Sequence, residues 1–264
     1  MHNSFLKRNL VTAASRVGLI AAVCGFVPGV AYGSPQNVGG VDQAGGTVTG
    51  VVKFEGRKAN RKPIRMLADA FCAKAHTASP AMNQKYVFGD NDALVNVFVW
   101  VSKGLEGKPL PSVSGGAKLD QTGCMYAPHV SGVVVDQELE ILNSDNTLHN
   151  VKMNSSANGS FNEGMPVKGM VIKKKFGKPE TGIRLKCDVH PWMGAYLHVV
   201  AHPFFAVTGQ DGTFEIKGLP AGDYEISVWH EFKKFAPDQA SIQVTVGEGQ
   251  SKQVAFTYRP KKKK

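Results

Sequence analysis

Four metal-binding side chains come together in two short stretches, Cys187-Asp188-Val189-His190-Pro191-Trp192-Met193 and, upstream, Leu148-His149-Asn150-Val151. Cys187 offers a thiolate, His149 and His190 offer imidazole nitrogens, and Met193 offers a thioether. Soft sulfur donors select copper, and two His with one Cys and a weak axial Met make a set suited to moving single electrons. Zinc is served less well, because Met is a poor zinc ligand. Cys187, His190 and Met193 recur every three residues, so one tight turn at a strand end can present all three inward. Pro191 fixes φ and removes a backbone donor, which stiffens that turn. His149, 38 positions before Cys187, must come from a separate strand. Taken singly, Cys187 could be a buried structural thiol, Met193 core filler and the His residues ordinary surface groups. All four at this spacing favour a metal.

The elements that position them belong to an exported, β-rich chain. Residues 1–33 carry Lys7 and Arg8, an apolar run from Val17 to Val30, and Ala31-Tyr32-Gly33 before Ser34, which reads as a cleaved signal peptide and a periplasmic or otherwise exported protein. Removing Lys7, Arg8 and Arg16 lowers the net charge from +10 to +7. Part of that excess is the tail, residues 259–264, with Arg259 and Lys261 to Lys264. No interleaved aromatics accompany it, so a nucleic-acid partner is not expected. An acidic protein or an anionic membrane surface suits it better.

Residues 34–46 are Gly-rich and read as a flexible leader. A strand is expected over Thr47 to Phe54, opening an irregular extension at 47–85 in which Leu67 to Ala78 could form one short helix. Leu94 to Val101, Val133 to Val135, Leu139 to Leu142, Gly182 to Cys187 and Tyr196 to Val200 read as strands of a domain over 86–200. Beyond a boundary near 201, Thr213–Ile216, Tyr224–Trp229, Ser241–Val246 and Gln253–Phe256 alternate with Gly/Pro turns and suggest a small antiparallel sandwich over 201–258. Dinucleotide, phosphate-loop, nucleophile-elbow and zinc-protease motifs are absent, which removes the commonest cofactor and hydrolase readings.

On the metal residues, 86–200 resembles the cupredoxins, small Greek-key β-sandwiches that shuttle electrons through one copper. The short Cys-x-x-His-Pro-aromatic-Met loop resembles that of the amicyanins. The resemblance implies His149, Cys187, His190 and Met193 as ligands, with Asn150 tying the two ligand loops together. It also implies an apolar docking patch at Pro191 and Trp192. Residues 203–258, through Asp211-Gly212 to Phe214, Gly218-Leu219-Pro220 and Gly222 to Tyr224, resemble carboxypeptidase regulatory-like (transthyretin-like) modules, and Thr47 to Phe54 looks like such a module's opening strand. The fold class that follows is all-β, a Greek-key cupredoxin sandwich plus a small transthyretin-like one.

With Cys24 in the signal segment and Cys187 given to metal, Cys72 and Cys124 remain, and two thiols in an oxidising compartment most simply pair. A second metal site with the nearby His76 and His129 is the competing reading, and free thiols are a third. His198, His202 and His230 read as structural. The expected activity is one-electron transfer by a single copper ion, Cu(I)/Cu(II), with the electron leaving through a surface-reaching edge of His190 to a transient redox partner such as a cytochrome or a dehydrogenase. No acid, base or nucleophile is implied, so the chain is not read as an enzyme. A copper carrier and a purely structural β-protein are the alternatives.

Overall fold

In the computed structural model the described residues are 45–262. The expected signal peptide, most of the leader and the last two residues of the basic tail lie outside them. In chain order the strands are β1 (Gly46–Phe54), β2 (Phe98–Lys103), β3 (Ala117–Thr122), β4 (Met125–Ala127), β5 (Val130–Val134), β6 (Leu139–Asn143), β7 (His149–Asn154), β8 (Ser160–Met165) and β9 (Val171–Lys174). They continue as β10 (Glu180–Lys186), β11 (Gly194–Val200), β12 (Phe205–Val207), β13 (Thr213–Leu219), β14 (Gly222–Trp229), β15 (Phe235–Pro237), β16 (Ser241–Val246) and β17 (Ser251–Pro260). One α-helix, α1 (Ala70–Ala75), lies between β1 and β2. The protein is all-β, as expected.

Four sheets form, in strand orders β13-β1-β17-β15, β12-β2-β14-β16, β5-β11-β10-β7-β8 and β4-β3-β6-β9. The first two enclose a core of Val48, Val52, Phe54, Val99, Val101, Phe214, Ile226 and Phe256 among others, making an outer sandwich. The last two enclose a second core with Leu119, Tyr126, Ile141, Val151, Leu185 and Leu197, making an inner sandwich from β3 to β11. Strand alternation joins the two. Along β2, Val99 and Val101 face the outer core while Phe98 packs in a third cluster with Val130, Val200 and Phe205, against Trp100, Tyr196 and Trp229. Along β11, Ala195, Leu197 and Val199 face the inner core, and Val200 faces that third layer. Gly132 is required in the layer because a Cβ there would lie 2.4 Å from the Phe205 ring.

The sheets do not follow the boundary read near 201. β2 falls within 86–200, yet it pairs with β12 and β14, and β1 pairs with β13 and β17. The run from Leu94 to Val101 is also cut: Asn96 adopts φ 63°, a left-handed conformation that Asn tolerates, and the strand begins only at Phe98. Helix α1 occupies the middle of the expected 67–78 segment, with the Asp69 side chain accepting from the Cys72 N–H as its N-cap.

Candidate metal centre

Strand β10 ends at Lys186, which pairs with Gly194 at the start of β11, so residues 187–193 form the connecting loop. The loop folds on itself. The Cys187 N–H donates to the Met193 carbonyl (3.4 Å), the Met193 N–H to the His190 carbonyl (2.9 Å), and the His190 N–H to Cys187 Sγ (3.3 Å). Cys187, His190 and Met193 are all buried, and Cys187 and Met193 belong to the inner core. His149, the first residue of β7, is fully buried beside them. Donor atoms of His149, Cys187 and His190 lie within 4.8 Å of one another, and the two Nδ1 atoms are 2.9 Å apart.

Asn150 connects the two chain segments. Its Oδ1 accepts from the N–H of Asp188 (2.6 Å) and of Val189 (3.3 Å) and lies 3.2 Å from Cys187 Sγ. The buried Tyr126 hydroxyl donates to the carbonyls of Asn150 (2.7 Å) and Lys186 (3.0 Å), locking β7 and β10 at the same level.

Carboxylates that sequence reasoning missed face both outer imidazole nitrogens. His149 Nε2 lies 2.9 Å from Asp145 Oδ2, and His190 Nε2 lies 3.2 Å from Asp69 Oδ2. An ionised carboxylate only accepts, so each Nε2 carries the hydrogen and each Nδ1 is left to face inward. The one readable signal for Asp69 was its place three residues before Cys72 at a helix start. Asp145 stood in what read only as a turn.

Electrostatics follow from burial opposed by these partners. Burial pushes the His149 pKa down, but Asp145 and Cys187 outweigh it and raise the value to about 9. Burial pushes the Cys187 thiol up, yet His149 and the surrounding N–H groups bring it below its ordinary value. Burial holds His190 low against the opposing pull of Asp69. At neutral pH His149 is therefore an imidazolium and His190 a neutral imidazole, with the Cys187 thiol shifted towards its ionised form.

Cys72 and Cys124 form a disulfide, as the simplest reading of the spare cysteines held. Both sulfurs are thereby taken from the two-Cys, two-His alternative, and the histidines go elsewhere. His76 Nε2 contacts the Gly123 carbonyl (2.6 Å), and His129 pairs with Glu231. His198 is buried between Phe98 and Trp229, and burial depresses its pKa to about 3. Burial also lowers the pKa of both His202 and His230.

One expectation fails. His190 does not bring a ring edge to the surface: it is 2% exposed, capped by Asp69, with Cys72 Sγ 3.7 Å from its Nε2. The segment before β2, illegible in the sequence, supplies this cover through α1 and the disulfide. Trp192 is half-buried, donates Nε1–H to the Cys124 carbonyl (3.1 Å) and packs 5.0 Å from the His190 ring, while Pro191 is exposed.

No protein-family profile matches the chain, and no curated protein does. Among solved structures, a variant of amicyanin in its Cu(I) form is 18% identical, with 38% of this chain and 97% of that one covered and a TM-score of 0.30. A purple cupredoxin from Nitrosopumilus maritimus is 18% identical over 31% of this chain and 98% of its own, TM-score 0.28. A copper-containing nitrite reductase from Thermus scotoductus is 18% identical over 34% of this chain and 25% of its own, TM-score 0.28.

Proposed function

We propose that the chain holds one copper ion through His149, Cys187, His190 and Met193 and acts as a one-electron carrier. The observation that carries this reading is the convergence of one buried cysteine sulfur and two imidazole nitrogens within 4.8 Å. The donor set fits copper by chemistry, since a lone thiolate and a thioether beside two imidazoles are soft enough to serve Cu(I) as well as Cu(II). Bound there, copper would supply reversible one-electron chemistry. The chain's own residues supply the rest. The Cys187 thiol is eased towards ionisation, Asn150 and Tyr126 hold the two ligand-bearing segments in register, and Met153, Met165 and Leu185 line a core that excludes water.

Full burial of the cluster supports a resident ion over a carrier that hands its metal on. Leu67 (86% exposed), Leu148 (45%) and Val189 (43%) flank Asp69, His149 and His190 in sequence and offer an apolar contact for a transient redox partner, with Pro191 and Trp192. A disulfide suits an oxidising compartment and supports an exported protein. We read the outer sandwich as the transthyretin-like module, completed by β1. Adding Cu(II) to the metal-free protein tests the proposal. A strong thiolate-to-copper absorption in the visible, lost in Cys187→Ser, is expected, whereas a colourless complex or no binding would refute it.

A further inference from the structure

We infer that Asp69 and Asp145 are positioning residues of this metal centre, each carried by the main chain of one half of the Cys72–Cys124 disulfide, so that one cross-link aims both imidazoles. The inference rests on the copper reading above.

Two short chains of contacts run from the cross-link inward. In one, the Cys72 N–H donates to Asp69 Oδ1 (3.0 Å), Thr147 Oγ donates to Asp69 Oδ2 (2.9 Å), and that same Oδ2 faces His190 Nε2. In the other, the Gly123 N–H donates to Asp145 Oδ1 (2.8 Å), the Cys124 N–H donates to Oδ2 (2.7 Å), and Oδ2 faces His149 Nε2. Gly123 and Cys124 have φ of 58° and 55°, so two successive left-handed residues turn both N–H groups onto one carboxylate. For Cys124, a residue with a Cβ, that conformation costs energy and persists because its surroundings impose it.

Capping a helix and closing a turn would explain the backbone bonds. Neither explains why each carboxylate also spends an oxygen on the outer nitrogen of an imidazole. That third contact fixes Nε2 as the donor and leaves Nδ1 turned inward, the orientation seen in the 2.9 Å Nδ1 pair. Partners that orient ligand histidines typically contribute 10–100-fold to metal affinity. Two anions just outside the ligands also favour the more highly charged ion, so the pair should bias the site towards Cu(II) over Cu(I). The carboxylates are poor candidates for ligands in their own right, because the sulfur that would complete each cluster is locked in the disulfide.

The test uses the full-length protein. Asp69→Asn keeps an acceptor for the Cys72 N–H and removes the charge, whereas Asp145→Asn removes the charge together with one of its two acceptors for backbone N–H groups. Each should shift the Cu(I)/Cu(II) affinity ratio towards Cu(I) by about tenfold or more, read as a rise of about 59 mV or more in midpoint potential. In the metal-free protein, nitrogen-15 NMR should find His190 with its hydrogen on Nε2, and mixed tautomers in Asp69→Asn. Removing the cross-link with Cys72→Ser and Cys124→Ser together should loosen the same tautomer preference while both carboxylates remain. Unchanged potential and unchanged tautomers beside reduced urea stability would make the carboxylates simple caps and overturn the inference. Asp69 is partly exposed, so Asp69→Asn decides the matter if Asp145→Asn does not fold. Failure to bind copper at all would sink the function, while the metal-free tautomer measurement would still judge the positioning.

Discussion

Asn150→Ala should cost the metal-free protein roughly 2–3 kcal/mol, because leaving a buried donor unsatisfied costs about 1–3 kcal/mol. Asn150 is 7% exposed, and its Oδ1 is the acceptor for the Asp188 N–H at 2.6 Å and the Val189 N–H at 3.3 Å. The first is a full bond and counts fully. The second is long, beside the exposed Val189, and counts about half. The lost bond from Asn150 Nδ2 to Asn162 Oδ1 adds little, because that oxygen can turn to water. Asn150→Asp separates structure from electrostatics. It keeps the accepting oxygen, so most of the stability should return, but it sets a negative charge beside Cys187. Two unit charges about 4 Å apart interact by about 4 kcal/mol at an effective dielectric of 20, or about three pKa units. Urea midpoints at constant slope measure the first effect, and ultraviolet thiolate absorbance against pH measures the second. A loss below about 0.5 kcal/mol in Asn150→Ala, the level of an ordinary surface change, would refute the claim that this side chain joins the two segments. A Cys187 titration unmoved in Asn150→Asp would refute the placement of that side chain beside the sulfur.

Replacing Cys72 and Cys124 by Ala should lower stability by about 4 kcal/mol from loop-closure entropy alone, since the cross-link joins residues 52 apart, and differential scanning calorimetry would show an unchanged melting temperature if the link is idle. Metal affinity should depend on pH with a definite sign. The folded-state pKa of His149, raised to about 9, means that binding at neutral pH must expel its proton, so apparent affinity should climb about tenfold per pH unit from about 6.5 and level off above about 9. The same shift should make the metal-free protein lose this contribution to stability as pH rises from about 6.5 through 9. A pH-independent affinity in competition titrations would count against the imidazolium.

The 187–193 loop was legible because its pattern is local: three candidate donors at three-residue spacing between strands expected over 182–187 and 196–200, which the Lys186–Gly194 pair closes. His149 was legible from residue type, and Asn150 only through the resemblance to cupredoxins. Asp69 and Asp145 were not, because a carboxylate before a helix or within a turn satisfies local rules by itself, and only tertiary packing adds the imidazole. Strands β3 and β8 escaped for another reason. Ala117–Thr122 and Ser160–Met165 are polar segments with one face in solvent, and pairing with neighbours holds them extended where propensity would not. The placement of β2 was out of reach as well. Its apolar run fits either sandwich, and its partners Phe205 and Ser227 lie more than a hundred positions away in the chain.

The parallel pairing of β1 with β17, running from Thr47 opposite Ser251 to Phe54 opposite Tyr258, bears on the order in which the molecule assembles. Its partners are 204 positions apart, whereas β10 and β11 meet across one seven-residue loop. The entropic cost of closing the longer loop is modest, about 1.2 kcal/mol more than for a loop of fifty residues. The kinetic cost is larger, because high contact order slows folding. β2 and β12 lie side by side, so everything between Lys103 and Phe205 is an excursion that leaves and returns at one place. During synthesis that excursion can be complete while β1 still shows a bare edge, awaiting the last strand. Until β17 arrives, that edge is open to pairing with another chain.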